Sequence, residues 1–117
     1  MRAPAAGTRV YLATGSTDMR KAINGLSMLV EGSLEMDPFC GHVFAFCNRS
    51  RKIVKVLYWD RNGFCLWQKR LERERFRWPS SVGAVLELDI RELGWLLEGL
   101  EITTLRPHRE LAYTTVL

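Results

Sequence analysis

A chain of 117 residues with net charge +4, 47% hydrophobic and 26% charged residues has an ordinary globular composition, which excludes a disordered tail and a fibrous repeat. No apolar run approaches the roughly 20 residues that cross a bilayer, and the opening MRAPAAGTRVYL lacks the apolar core of a signal peptide, so a cytoplasmic protein without a membrane partner is expected. The length suits a single domain over residues 1–117, able to bury a usable core without disulfides or metal.

The first strand signal is Arg9 to Ala13, bounded by Gly7 and by Gly15-Ser16. A long helix is expected next. Ser16 or Thr17 can cap it, Asp18 complements its positive end, and Met19, Ile23, Leu26, Val30 and Leu34 recur at spacings of three and four. Gly25 weakens such a helix by about 1 kcal/mol relative to Ala, and a close backbone contact at that position would explain it. Asp37-Pro38 ends the helical region, because the residue before proline is pushed out of the helical basin.

Sheet patterns follow at residues 42–47 (HVFAFC), 52–59 (KIVKVLYW) and 64–70 (FCLWQKR), rich in β-branched and aromatic residues. Asn48-Arg49-Ser50-Arg51 and Asp60-Arg61-Asn62-Gly63 separate them, and Asn62 and Gly63 tolerate the positive φ of a tight hairpin. Alternation places Phe64, Leu66, Gln68 and Arg70 on one face of the third strand and Cys65, Trp67 and Lys69 on the other. A loop after Pro79-Ser80-Ser81 leads to Asp89, which with Glu92 reads as the capping box of a helix from Ile90 to Glu98. Leu93, Leu96, Leu97 and later Leu100 give that helix its apolar side, and Gly99 is placed as its C-cap. Residues 102–117 read as an edge strand or tail. The expected class is α+β: a three- to four-stranded antiparallel meander packed against a long N-terminal helix and a short C-terminal one.

Charge is distributed unevenly. Between Arg49 and Arg77 there are ten Lys and Arg against three acids, while the rest of the chain carries a small negative excess. A focused positive field of this kind commonly meets phosphate. The candidate nucleic-acid contacts are Arg49, Arg51, Lys52, Lys55, Lys69, Arg70, Arg73, Arg75 and Arg77, with Trp67 and Trp78 as rings on which bases could stack. The aromatics Phe44, Phe46, Trp59 and Phe64 read mainly as core. No base-reading helix is identifiable, so no sequence specificity is expected.

Catalytic chemistry is weakly signalled. Asp18, Asp37 and Asp60 are of a type that binds metal for phosphodiester cleavage, but each has a local role at a cap or turn. Cys40, His42, Cys47 and Cys65 do not match the spacing of a zinc knuckle. The odd number of cysteines suits reduced, buried thiols better than a disulfide framework. No catalytic residue, metal or cofactor is expected.

The strings TDMRKAINGL (17–26), DPFCGHVFAFCNRSRKIVKVLYWDRNGFCLWQKRLERERFRWP (37–79) and ELGWLLEGL (92–100) resemble the TnpB accessory proteins (transposase Orf2-like) of the IS-sixty-six-type bacterial insertion sequences. The resemblance covers nearly the whole chain in order. It implies a non-enzymatic protein encoded beside a large three-carboxylate transposase, needed with it for efficient transposition, and unrelated to the much longer RNA-guided nuclease that shares the TnpB name. Asp18, Arg20 and Lys21 match the TDMRK positions and are candidate partner contacts. Tyr58, Trp59, Asp60 and Gly63 match a YWDRDGF pattern, and Lys69, Arg70, Phe76, Trp78 and Pro79 match KRL…RFxWP. Asn62 departs from the usual Asp, and Cys65 and Gln68 stand where aromatics are frequent. The expected partners are DNA at the element's ends, the transposase and the element's other small accessory protein, with no small-molecule substrate. Two readings stand: DNA binding through 49–77, or an adaptor on the transposase without DNA contact. A metal-dependent nuclease using Asp18 and Asp60 ranks last.

Overall fold

The computed structural model describes residues 7–80 and 85–102. Strand β1 (Arg9–Ser16) is followed by helix α1 (Ile23–Gly32), strands β2 (Val43–Cys47), β3 (Ile53–Asp60), β4 (Gly63–Arg70) and β5 (Val85–Asp89), and helix α2 (Ile90–Leu97). The strands form one sheet in the order β4-β3-β2-β1-β5. β2, β3 and β4 are the expected antiparallel meander, but β1 lies parallel to β2 and antiparallel to β5, so the sheet is mixed and five-stranded. The parallel pair follows from connectivity. The segment between β1 and β2 contains α1 and is long enough for a crossover, whereas the turns between β2, β3 and β4 permit only antiparallel neighbours.

Burial explains the strand order. All five residues of β2 are buried, as are Val10, Tyr11, Leu12 and Ala13 of β1, which is the pattern of strands covered on both faces. β4 is half-buried from Gly63 to Trp67 and exposed at Gln68 and Arg70, as an edge strand is. One face gathers Tyr11, Phe44, Phe46 and Leu57 against Leu26, Val30 and Leu34. The other gathers Val10, Leu12, Ala45, Val54, Val56 and Leu88 against Leu93 and Leu96, together with Phe76 and Trp78. The helices therefore cover opposite faces of the sheet.

Several expectations are corrected. α1 is not a long helix: it begins at Ile23 after an Ala22 N-cap that offers no side-chain bond. The proposed caps are used elsewhere, since Thr17 N–H donates to Cys47 O (2.8 Å) and prolongs the β1–β2 pairing, while the Asp18 carboxylate accepts from Arg20 N–H (2.9 Å). The apolar stripe is as read, with Met19 and Ile23 packed beside the buried Leu26, Val30 and Leu34. Gly25 does not face backbone as expected: a Cβ there would lie 3.1 Å from Lys21 Cβ, so its near neighbour is a side chain. β5 lies where only a loop and a cap were expected. In the β3–β4 hairpin the left-handed residue is Arg61 (φ 52°), with Asp60 and Gly63 paired across it, so neither Asn62 nor Gly63 supplies the positive φ.

α2 ends as read. Asp89 accepts from Glu92 N–H (2.7 Å) and Glu92 Oε1 accepts from Asp89 N–H (3.0 Å), the reciprocal capping box. At the other end Gly99 (φ 89°) closes the helix, its N–H donating to Leu96 O while Leu100 N–H donates to Trp95 O. The cysteines are only partly as expected: Cys47 is buried, Cys65 half-buried and Cys40 exposed. Residues 103–117, read as an edge strand or tail, lie outside the described residues, as does Ser81.

Candidate nucleic-acid interface

Strand direction assembles the basic residues. β1 and β2 are parallel, and β4 runs the same way because it is two antiparallel steps from β2. The chain therefore leaves β1, β2 and β4 at one end of the sheet, through residues 17–22, 48–52 and 71–80. All three connections carry cations: Arg20 and Lys21 in the first, Arg49, Arg51 and Lys52 in the second, and Arg73, Arg75 and Arg77 in the third, just after Arg70.

Local chemistry fixes each connection. In the β2–β3 turn Asn48 Oδ1 accepts from Lys52 N–H (3.0 Å) and Ile53 N–H (3.1 Å), and Arg51 takes the left-handed conformation (φ 63°). Arg49 is thereby left exposed at the tip. The third connection is stitched to this turn, with Leu71 N–H donating to Lys52 O (2.8 Å) and Phe76 N–H to Arg51 O (2.7 Å). Phe76 and Trp78 are buried, and the Trp78 indole N–H donates to Ala13 O (2.9 Å), while Arg73, Arg75 and Arg77 are exposed. Alternation in the string RFRW thus sends the rings inward and the guanidiniums outward.

Not every candidate cation is open to a ligand. Lys55 Nζ donates to Met19 O (2.8 Å) and Lys21 O (2.9 Å), strapping the first connection to β3. Lys69 Nζ donates to Leu97 O (2.8 Å) at the C-terminal turn of α2, where the helix dipole favours a cation. Arg70 Nε donates to Glu72 Oε2 (3.0 Å) with both side chains mostly in solvent. Arg51 is half-buried with its guanidinium against Cys47; burial pushes the Cys47 thiol up, and the Arg51 hydrogen bond opposes that shift. Arg49, Arg73, Arg75 and Arg77 remain as the exposed set, with Lys52 half-buried beside them. The proposed stacking rings are largely unavailable, since Trp78 belongs to the core and Trp67 packs against it from β4.

Asp18, Arg20 and Lys21, read as candidate partner contacts, stand at this same end of the sheet. Asp18 and Arg20 form a fork, with Arg20 Nε 3.0 Å and Nη2 2.7 Å from Asp18 Oδ2, and the guanidinium holds the carboxyl down at about 2. The nearby carboxylates are Asp18, Glu72 and Glu74, so the cations predominate. Asp18 and Asp60 stand at opposite ends of the sheet and cannot share a metal ion. Among the described residues no three His, Cys, Asp or Glu side chains gather in a metal-binding group.

Sequence reasoning missed an aromatic cluster at the opposite end. Phe39, 53% exposed, sits with its ring centroid 5.0 Å from Trp59 and 5.1 Å from Phe64, which themselves face each other across the β3–β4 hairpin. Trp59 and Phe64 were legible as hairpin aromatics. Phe39 was not, because it lies in a turn after Pro38 where no periodicity places it.

Fold and surface together define a small α+β protein, with helices on both faces of a mixed sheet and an arginine-rich set of loops at one end. The family described as IS66 Orf2 like protein matches residues 8–107, and the chain belongs to it, an accessory family of insertion-sequence transposition. It is 41% identical over 93 residues to "Uncharacterized protein y4hO" of Sinorhizobium fredii (strain NBRC 101917 / NGR234), covering 80% of this chain and 81% of that one. It is 34% identical over 106 residues to "Uncharacterized protein y4jC" of the same organism, covering 91% of each. No solved structure matches the chain. No helix among the described residues is long and apolar enough to cross a membrane.

Proposed function

We propose that this accessory protein acts without catalysis by binding the DNA of its insertion sequence through the arginine-rich end of the sheet. The observation that carries the reading is the stitching of residues 71–78 to the β2–β3 turn, which groups Arg73, Arg75 and Arg77 with Arg49 and Lys52. Side chains that neutralise phosphates release counterions, so affinity must fall steeply as salt rises, and no base-reading element is needed. A gel-shift titration across salt concentrations tests it. Salt-sensitive binding is expected, weakened by replacing Arg73, Arg75 and Arg77 with Gln and unchanged by Trp78→Phe, whose ring is committed to the core. Absence of binding at low salt, or affinity indifferent to ionic strength, would sink the reading.

A second reading, docking on the transposase, is favoured by the exposed Phe39 over Trp59 and Phe64. Large aromatic side chains are frequent interface anchors. The two readings use opposite ends of the molecule and are compatible.

A further inference from the structure

We propose that the connection after β1 is a third wall of the basic end, so that Arg20 and Lys21 grip the phosphates of duplex DNA together with Arg49, Lys52, Arg73, Arg75 and Arg77. The inference rests on the DNA-binding reading and deepens it, by enlarging the footprint and by naming a duplex as the form bound.

Three observations place the connection there. The Thr17 N–H bond to Cys47 O ties its first residue directly beside the start of the β2–β3 turn. The Lys55 ammonium, coming from β3, holds the carbonyls of Met19 and Lys21. The stem of Lys21 lies against Gly25, where a larger residue would press on it. These contacts fix the backbone of residues 17–21 while leaving the charges outside: Lys21 is exposed and the Arg20 side chain is 91% exposed. Loops that leave the carboxyl ends of parallel strands commonly converge on one ligand, and here the loops after β1 and β2 both end in cations. The Asp18 fork orders Arg20 in advance and at the same time offsets part of its charge, so Lys21 is the principal cation of this wall.

The form of nucleic acid follows from the rings. Proteins that hold single strands stack successive bases on open aromatic side chains. The rings interleaved with these cations are not open, because Phe76 and Trp78 are buried and Trp67 packs on the same core. Cations without stacking platforms suit the regular phosphate rows of a duplex.

Fluorescence anisotropy with a labelled duplex of arbitrary sequence, and with one of its strands alone, tests this across a salt series. For R20Q/K21Q the slope of log K against log salt is expected to fall by at least about 0.9, the share of the Lys21 contact, and by up to about 1.8 where Arg20 exchanges Asp18 for a phosphate, with duplex binding weakened several-fold or more at low salt. The charge-preserving R20K/K21R should keep the wild-type slope. R61Q/R91Q removes the same charge at the opposite end of the sheet and should leave the slope unchanged. Thermal melts of each variant confirm that it folds. The proposal is overturned if R20Q/K21Q keeps the wild-type slope, if R61Q/R91Q lowers it equally, or if the single strand binds more tightly than the duplex. Failure of the unmodified protein to bind any duplex at low salt would instead remove the DNA reading beneath it.

Discussion

The Asp18 carboxylate serves its own loop, not the positive end of a helix that it was expected to complement. Its carboxyl is drawn from an ordinary value of 3.8 to about 2, first by the Arg20 side-chain hydrogen bond and then by the Arg20 backbone N–H. The folded value lies below the unfolded one, so the stabilisation is fully present above about 4, where the unfolded group is ionised. It is lost as pH falls through about 2, where the folded group protonates. A carboxyl NMR titration of the unmodified protein should show Asp18 ionised down to about 2, and Arg20→Gln should return it toward the usual carboxylate range. An unmoved midpoint in the variant would show that Arg20 is not the cause. The motif TDMRK marked these residues in the sequence, but nothing in it showed that the Asp turns back on its own loop.

At the scale of elements, the meander, the capping box of α2 and its glycine stop were legible because each rests on neighbours in the chain. The parallel placement of β1 and the existence of β5 were not. VLELD carries only five residues of strand pattern, and its last residue is also the N-cap of α2, so local signals favoured a loop. The length of α1 was overestimated because its apolar stripe continues through Met19, which packs on the core from outside the helix. Lys69 illustrates the same limit at the site. In sequence it is one more cation in a basic run, whereas in the fold it caps the C-terminal turn of α2 through Leu97 O. Lys69→Met keeps the stem and removes the ammonium, and is expected to cost about 1 kcal/mol in urea denaturation through the lost helix-end contact. Its effect on the salt slope of DNA binding should be slight. A variant of unchanged stability whose salt slope drops would mean that Lys69 faces DNA and not the helix.

For the molecule as a whole, the sheet separates two chemistries along its strands. Cations leave by the connections after β1, β2 and β4, and the Phe39, Trp59 and Phe64 cluster sits at the other end, beyond the β3–β4 hairpin. The basic segment was legible as composition, but its boundary was not: Lys55 and Lys69 turn inward to carbonyls, and Arg20 and Lys21 join from a distant stretch of chain. On the proposed reading, this polarity would let DNA and a protein partner be held together without competing for surface. Phe39→Ala should then leave salt-dependent DNA binding unaltered, because the residue lies away from every cation of the basic end. Its half-exposed ring contributes little to the core, so the fold should also persist. Co-purification with the element's transposase, performed after nuclease treatment, should be reduced several-fold by the same change, in keeping with loss of an aromatic anchor worth upwards of about 1 kcal/mol. Equal recovery of the transposase with Phe39→Ala and the unmodified protein would exclude the cluster as a docking site. Recovery that disappears for both once DNA is digested would show that the two proteins meet only through DNA, which leaves the basic end as the sole link between this accessory protein and its transposase.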